Sequence, residues 1–451
     1  MDSNLRSFNP NKQLKEQFVS NLTGSSMLEL FVVITTFSCL VLLRRTFGCD
    51  IMVGHNATEA SMKKNEEVVG YKSLRAFVAV MVLSEWIYLI ATSLILLLLI
   101  SFSARRFRSS SFQESGVFSF RTNISSYRVA MMLATCLCIL AVDFKIFPRK
   151  YAKTETYGTG LMDLGVGSFV LVNSLVSQQA RGNSIVTLRS TIRSCSPLIL
   201  LGFARLFFTS GVDYQVHVGE YGVHWNFFFT LAGVSILTSV INVPSRYCGL
   251  LGFFVLVGYQ FFLSHGLNDY LLSDKRGADI ISQNKEGIFS MIGYWGIYLV
   301  GVQLGSLLLF GNHGEVMRSA NKGGSIRVWV LCIFFWLLTL YLDWNVERVS
   351  RRMCNLAYVT LVLALNLQVL AILTLSDYIP GNRISILEEA FNRNLLASFL
   401  LANVLTGLVN LSIDTLFVSP ATALAILLLY QFTLCAFVGC AYFFGVKLKF
   451  W

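Results

Sequence analysis

Long, uninterrupted apolar runs dominate this chain. They appear near residues 27–43, 75–100, 128–143, 160–178, 196–210, 226–243, 249–265, 287–311, 327–342, 356–376, 395–413 and 419–446. A run of about 18 or more apolar residues is long enough to cross the hydrocarbon core of a bilayer as a helix, where every backbone polar group must be satisfied within the segment. Membrane β-strands would alternate apolar and polar residues instead. The expected fold is all-α, a polytopic transmembrane helical bundle of about 12–13 spans. Charged residues make up only 14% of the chain, against about 25% in soluble domains.

Residues 1–26 read as a polar N-terminal arm, 27–446 as a single multi-span domain and 447–451 as a basic tail. Ser25 and Ser26 are placed to cap the first helix. The polar start, and Arg44 with Arg45 after the first run, argue against a cleavable signal peptide. The net charge of +11 sits in short loops between runs, where topology and lipid headgroups account for it, and no basic and aromatic stripe suggests a nucleic-acid face. The ten cysteines form no C-x-x-C and no zinc-like cluster, so they read as small buried hydrophobes.

The last five residues, K-L-K-F-W, resemble the dilysine retrieval signal of endoplasmic reticulum membrane proteins, with Lys447 and Lys449 in its basic positions. As such a signal it implies the endoplasmic reticulum membrane with a cytosolic C-terminus, and a basic stop after the last helix is the other reading. Counting loops backward from there puts 211–225 and 414–418 in the lumen, and neither has Lys or Arg. The same count puts 144–159, with Lys145, Arg149, Lys150 and Lys153, and 343–354, with Arg348, Arg351 and Arg352, on the lumenal side as well. Bases on the wrong side for topology are candidates for chemistry, such as gripping phosphate. The Asn56-Ala57-Thr58 sequon also falls in a lumenal loop by this count.

The densest charge lies in the connector Asp143 to Gly167, D-F-K-I-F-P-R-K-Y-A-K-T-E-T-Y-G-T-G-L-M-D-L-G-V-G. Ionisable groups beside hydrocarbon are costly unless paired or wetted, so they mark candidate functional sites. Further constellations follow. Asp213 to Thr230 mixes His217, Glu220, His224 and Asn226 with Tyr214, Tyr221 and Trp225; it reads either as an interfacial aromatic belt or as a site wall, and its spacing is poor for a metal. Asn284 to Leu299 carries Gly287, Gly293 and Gly296, small residues that let helices approach. Val349 to Tyr358, V-S-R-R-M-C-N-L-A-Y, offers Arg351, Arg352 and Asn355; guanidinium forks suit phosphate, and topology or headgroup binding is the other reading. Asn403 and Asn410 share a helix face and are expected to bond to a neighbouring helix.

These motifs resemble the inositol acyltransferases of GPI-anchor biosynthesis, the PIG-W type. The family signature reads D-F-x-I-F-P-R-R-x-A-K-T-E-x-Y-G-x-x-L-M-D-L-G-V-G, and similar Y-Q-x-H-V-x-E-Y-G-x-H-W-N-F-F and S-R-R-x-x-N-x-x-Y runs recur. The resemblance extends from residue 18 almost to the C-terminus, and departs at Lys150, where the family commonly has Arg. It implies transfer of a fatty acyl chain, typically palmitoyl, from acyl-CoA to the inositol 2-hydroxyl of glucosaminyl-phosphatidylinositol. Acyl-CoA is then a co-substrate, and no further cofactor or metal is implied.

Within that reading, Asp143 is the general base and Lys153 its partner or the donor to the oxyanion. Ten residues apart with Pro148 between them, the two cannot share a helix face. They meet only if the connector folds back, and a juxtamembrane ion pair that merely fixes the loop is the alternative. Arg149, Lys150, Arg351, Arg352 and Asn355 are candidates for phosphate, and His224 and Asn226 for substrate hydroxyls. Two rivals stand beside this. Another membrane-bound O-acyltransferase would use a single buried histidine, for which His265 is the obvious candidate. A secondary transporter would carry midplane charges on broken helices, whereas the charges here cluster at span ends.

Overall fold

The computed structural model describes residues 14, 17–18, 20–53, 78–79, 82–108, 120–182, 188–211, 218–310, 322–378 and 385–446. Among them the chain is helical throughout, and extended backbone pairs only in isolated bridges of Gly24 and Ser25 with Thr159. The main helices are α1 (Met27–Val53), α2 (Ile87–Arg108), α3 (Phe120–Ala141), α4 (Leu164–Leu175), α5 (Leu188–Gly211), α6 (Phe227–Ile241) and α7 (Ser245–Phe262). They continue with α8 (Lys285–Gly305), α9 (Lys322–Asn345), α10 (Leu356–Thr374), α11 (Ile386–Arg393), α12 (Leu395–Ser412) and α13 (Pro420–Phe443).

Each expected apolar run overlaps one of these helices, and ten are long and apolar enough to cross a bilayer. The two that fall short are α4, with 12 residues, and α6, with 15. At about 1.5 Å per residue neither reaches across a core of about 30 Å. Helix α4 is apolar for another reason: Leu164, Val170, Leu171, Val172 and Leu175 are buried in protein. The short α11 interrupts no apolar run and carries Glu388 and Glu389 in its first turn.

Helix ends follow the capping chemistry of the sequence. Ser26 Oγ accepts the Glu29 amide at 3.1 Å and starts α1, whereas Ser25 bonds to Thr159 instead. Ser419 caps α13 ahead of Pro420. Helix α7 ends in a π-turn over Leu263–Leu267, where Gly266 adopts φ +108° and His265 leaves helical geometry.

The chain forms two compact units. The first draws its described residues from Met1–Ser25, Ala152–Met317 and Phe334–Ala364, and the second from Ser26–Tyr151, Arg318–Ile333 and Leu365–Trp451. The units interleave along the chain, so no linker marks a boundary. In the first, α8 packs against α4, α6 and α7, and α5 packs against α6. The expected close approaches occur here: a Cβ on Gly293 would lie 2.2 Å from the Cys354 carbonyl oxygen, and one on Gly296 would lie 2.4 Å from the Leu256 side chain. In the second unit α1 packs on α2, and α3, α11, α12 and α13 pack together.

Some expectations need correction. Asn403 donates to the Phe399 carbonyl of its own helix, whereas Asn410 does reach across, to Asp143. Asn123, which begins a sequon, is buried in α3 and accepts from Arg45 and Ser376. The Asn56 sequon, Lys447 with Lys449, and His217 lie outside the described residues.

Candidate active site

In the first unit, the loop after Ala152 is shaped by one carboxylate. Asp163 accepts from the Thr154 amide at 3.2 Å, the Thr154 hydroxyl at 2.9 Å and the Gly160 amide at 2.8 Å. Gly160 is required at that point, because a Cβ would lie 2.1 Å from the Ala152 carbonyl oxygen. The outer side of the loop is stitched to residues 22–25, where the Ser25 amide donates to Thr159 O at 2.6 Å. Gly158 N donates to Val349 O at 2.8 Å, which ties the loop to the S-R-R segment.

That loop presents Lys153 to a carboxylate that a buried arginine holds from behind. Lys153 Nζ lies 2.7 Å from Glu220 Oε1, and Arg351 Nη1 donates to the same oxygen at 3.2 Å. Arg351 Nε lies 2.9 Å from Asp163 Oδ1, an ion pair without hydrogen-bond alignment. Exposure falls along this chain, from 42% for the Lys153 side chain to 16% for Glu220, 4% for Arg351 and 3% for Asp163. Burial pushes the Glu220 carboxyl up, but the charges of Lys153 and Arg351 outweigh it and hold Glu220 down at about 2. Burial likewise works against the Arg351 charge, and Glu220 and Asp163 overcome it, keeping the guanidinium protonated.

Arg352 turns to a second carboxylate. Its Nη2 lies 3.0 Å from Glu286 Oε1 and donates to Leu271 O at 3.1 Å, while Arg276 Nη2 lies 2.6 Å from the same Glu286 oxygen. The two neighbouring arginines thus diverge to separate acidic partners. Asn355 is fully buried, accepts from the Ser350 and Tyr358 amides and donates to Arg348 O, so it organises the start of α10. Asn226 is buried as the N-cap of α6 and donates to Gly202 O. His224 is exposed, with its backbone amide fixed by Asn284 Oδ1 at 2.7 Å.

Asp143, Arg149 and Lys150 belong to the second unit. Asp143 Oδ2 accepts from Asn410 Nδ2 at 2.8 Å, and the Arg149 guanidinium feels the Asp143 charge while its donors reach Val142 O, Phe144 O and Phe147 O beyond the end of α3. Burial draws Arg149 down to about 10 against the pull of Asp143. Lys150 Nζ pairs with Glu29 at 2.6 Å, and Tyr151 donates to the same carboxylate. The expected pair is therefore divided between units, Asp143 with Asn410 in one and Lys153 with Glu220 in the other. His265 is exposed and stacked on the Phe261 ring at 4.0 Å, unlike the buried histidine that the rival acyltransferase reading needs.

Sequence reasoning passed over Asp163, Glu220 and Glu286 as site residues. All three were legible as acids flanking or entering apolar runs. Of their basic partners, Arg351 and Arg352 are expected at phosphate and Lys153 at the reacting acyl group, which hides the pairing. No group of three or more His, Cys, Asp or Glu that could hold a metal occurs among the described residues.

The GWT1 family model matches residues 11–441. The chain is similar to an uncharacterized protein of Arabidopsis thaliana, 54% identical over 92% of this chain and 99% of that protein. It is 37% identical to the phosphatidylinositol-glycan biosynthesis class W protein of Dictyostelium discoideum, over 73% of this chain and 75% of that one. It is 32% identical to the GPI-anchored wall transfer protein 1 of Saccharomyces cerevisiae, over 95% of this chain and 96% of that protein.

Proposed function

The chain belongs to the GWT1 family, the multi-pass inositol acyltransferases of GPI-anchor biosynthesis, and on that premise we propose that Asp143 is its general base and Lys153 a charge donor to the reacting acyl group. The enzyme moves an acyl chain from acyl-CoA to the inositol of glucosaminyl-phosphatidylinositol. The finer reading has the 2-hydroxyl as acceptor, palmitoyl as the chain and the endoplasmic reticulum membrane as the location.

In this reaction the inositol oxygen attacks the thioester carbon, its proton passes to a base, and the carbon–sulfur bond breaks to release the coenzyme A thiolate. The base, here the Asp143 carboxylate, must come within hydrogen-bond reach of the attacking hydroxyl, and negative charge on the carbonyl oxygen is met by a fixed cation. The observation that carries the Lys153 assignment is its grip on Glu220, which fixes a half-exposed ammonium from one side. Arg351 acts through Glu220 as a positioning residue, since both its acidic partners occupy it. Arg352, Asn355 and Asn226 shape the walls of the site, Arg149 and Lys150 fix the connector, and His224 is left to meet a substrate hydroxyl.

The test is acyl transfer to glucosaminyl-phosphatidylinositol by membranes carrying wild type, Asp143→Asn or Lys153→Ala at equal abundance. Both variants should lose at least 100-fold in rate, within the range of about 10²–10⁴ for acid–base groups. Retention of most of the rate by either removes that residue from the chemistry.

A further inference from the structure

Glu347 is a carboxylate held only by neutral donors. Tyr157 OH donates to its Oε1 at 3.1 Å, Asn268 Nδ2 donates to the same oxygen, and Gln260 Nε2 donates to Oε2 at 2.7 Å. No lysine, arginine or histidine among the described residues pairs with it. It differs in this from the acids of the candidate site, Asp163, Glu220 and Glu286, which each have an arginine or lysine partner.

The local electrostatics are correspondingly negative. Burial, then the charge of Glu347, its hydrogen bond and the charge of Asp269 push the Tyr157 hydroxyl up to about 12. An apolar cluster of Tyr259, Leu263, Leu271 and Met353, on which Tyr157 packs, backs the position. The neutral donors leave acceptors open. A carboxylate offers about four lone-pair sites, of which two on Oε1 and one on Oε2 are used, and Asn268 Oδ1 is buried without a partner.

A site with net negative charge and unused acceptors suits a cation that carries several donors. The acceptor lipid of this reaction carries one, the ammonium of its glucosamine. The polar cluster belongs to the loop that presents Lys153, since Tyr157 lies four residues on, and the π-turn beside it supplies Asn268 from the next helical segment. We propose that Glu347, with Asn268 Oδ1, binds the glucosamine ammonium and makes the enzyme select the free amine over its N-acetylated form. The proposal rests on the acyltransferase reading above. An N-acetyl group removes the charge and two of the donors, leaving Glu347 uncompensated.

The test measures kcat and KM in membranes with two acceptors, glucosaminyl-phosphatidylinositol and N-acetylglucosaminyl-phosphatidylinositol. Wild type should favour the free amine by roughly 10- to 100-fold in kcat/KM, the worth of a charge-assisted hydrogen bond. Glu347→Gln should bring that ratio to within about threefold of unity, chiefly through KM for the amine. Glu347→Asp keeps the charge and should retain a preference, so a Gln variant that fails to fold does not end the test. Equal use of both acceptors by wild type, or an unchanged ratio in Glu347→Gln, overturns the proposal while leaving acyl transfer intact. No transfer to either acceptor by wild type overturns the acyltransferase reading itself.

Discussion

Lys153 Nζ lies 2.7 Å from Glu220 Oε1, so the half-exposed ammonium assigned to the chemistry is pinned on one side by an acid. If Lys153 acts from that position, Glu220→Gln should lower kcat by roughly 10- to 100-fold, the worth of a hydrogen bond to a charged group. Combined with Lys153→Ala it should cost nothing further, because the two act as a unit. Full additivity in the double variant separates Glu220 from Lys153.

The pH dependence has a definite sign. Glu220 has its carboxyl lowered from 4.5 to about 2. Its contribution to stability is complete above about 4.5 and is lost as pH falls through about 2. Glu220 therefore does not titrate in an assay between about pH 5 and 8. Any acid limb of the rate profile in that window should persist in Glu220→Gln.

Arg351 bridges the buried Asp163 and the partly buried Glu220. Replacing it with Ala leaves Asp163 and Glu220 without their shared cation, and breaking a buried ion pair in this way costs about 3–5 kcal/mol. Arg351→Ala should unfold at markedly lower temperature in detergent, and the added Asp163→Asn should recover part of the loss. A variant as stable as wild type would place Arg351 outside the framework and return it to phosphate binding.

The twelve-run pattern was legible because a bilayer demands length and apolarity together, and α1 or α13 could be read directly from their residues. What composition does not encode is which side of an apolar helix meets lipid and which meets protein. Helix α4 therefore looked like a span, although it is a short buried element. In the site, Asp143, Lys153 and the S-R-R pair stood out as charges at run ends. Their partners Asp163 and Glu220 lie 10 and 67 residues from Lys153 along the chain, and tertiary pairing across such separations leaves no local periodicity.

Asn226 distinguishes a cap from a substrate contact. Its side chain accepts from the Phe228 amide at 3.0 Å at the start of α6. Asn226→Ala should cost about 1 kcal/mol of stability and Asn226→Ser, which keeps a capping oxygen and sets no carboxylate against Gly202 O, less. KM for the acceptor should be unchanged in both when thermal unfolding and kinetics are measured on the same preparations. A rise in KM in Asn226→Ser beyond what its change in unfolding temperature accounts for would restore the hydroxyl-binding role.

Asn410 offers the final separation, because it touches Asp143 from a helix remote in sequence. Its amide donates at 2.8 Å to Asp143 Oδ2, which orients the carboxylate without neutralising it. Asn410→Ala removes that constraint and should reduce kcat by roughly tenfold through the lost charge-assisted bond. Asn410→Asp puts a second carboxylate against the first, and like charges at contact cannot both ionise. It should be the poorer enzyme of the two even though it preserves shape. If Asp143 serves only to hold the connector, the order reverses, because a shared proton between the two acids restores the contact while an alanine does not. Acyl transfer at matched abundance therefore reads the role of Asp143 through a residue that takes no part in the chemistry.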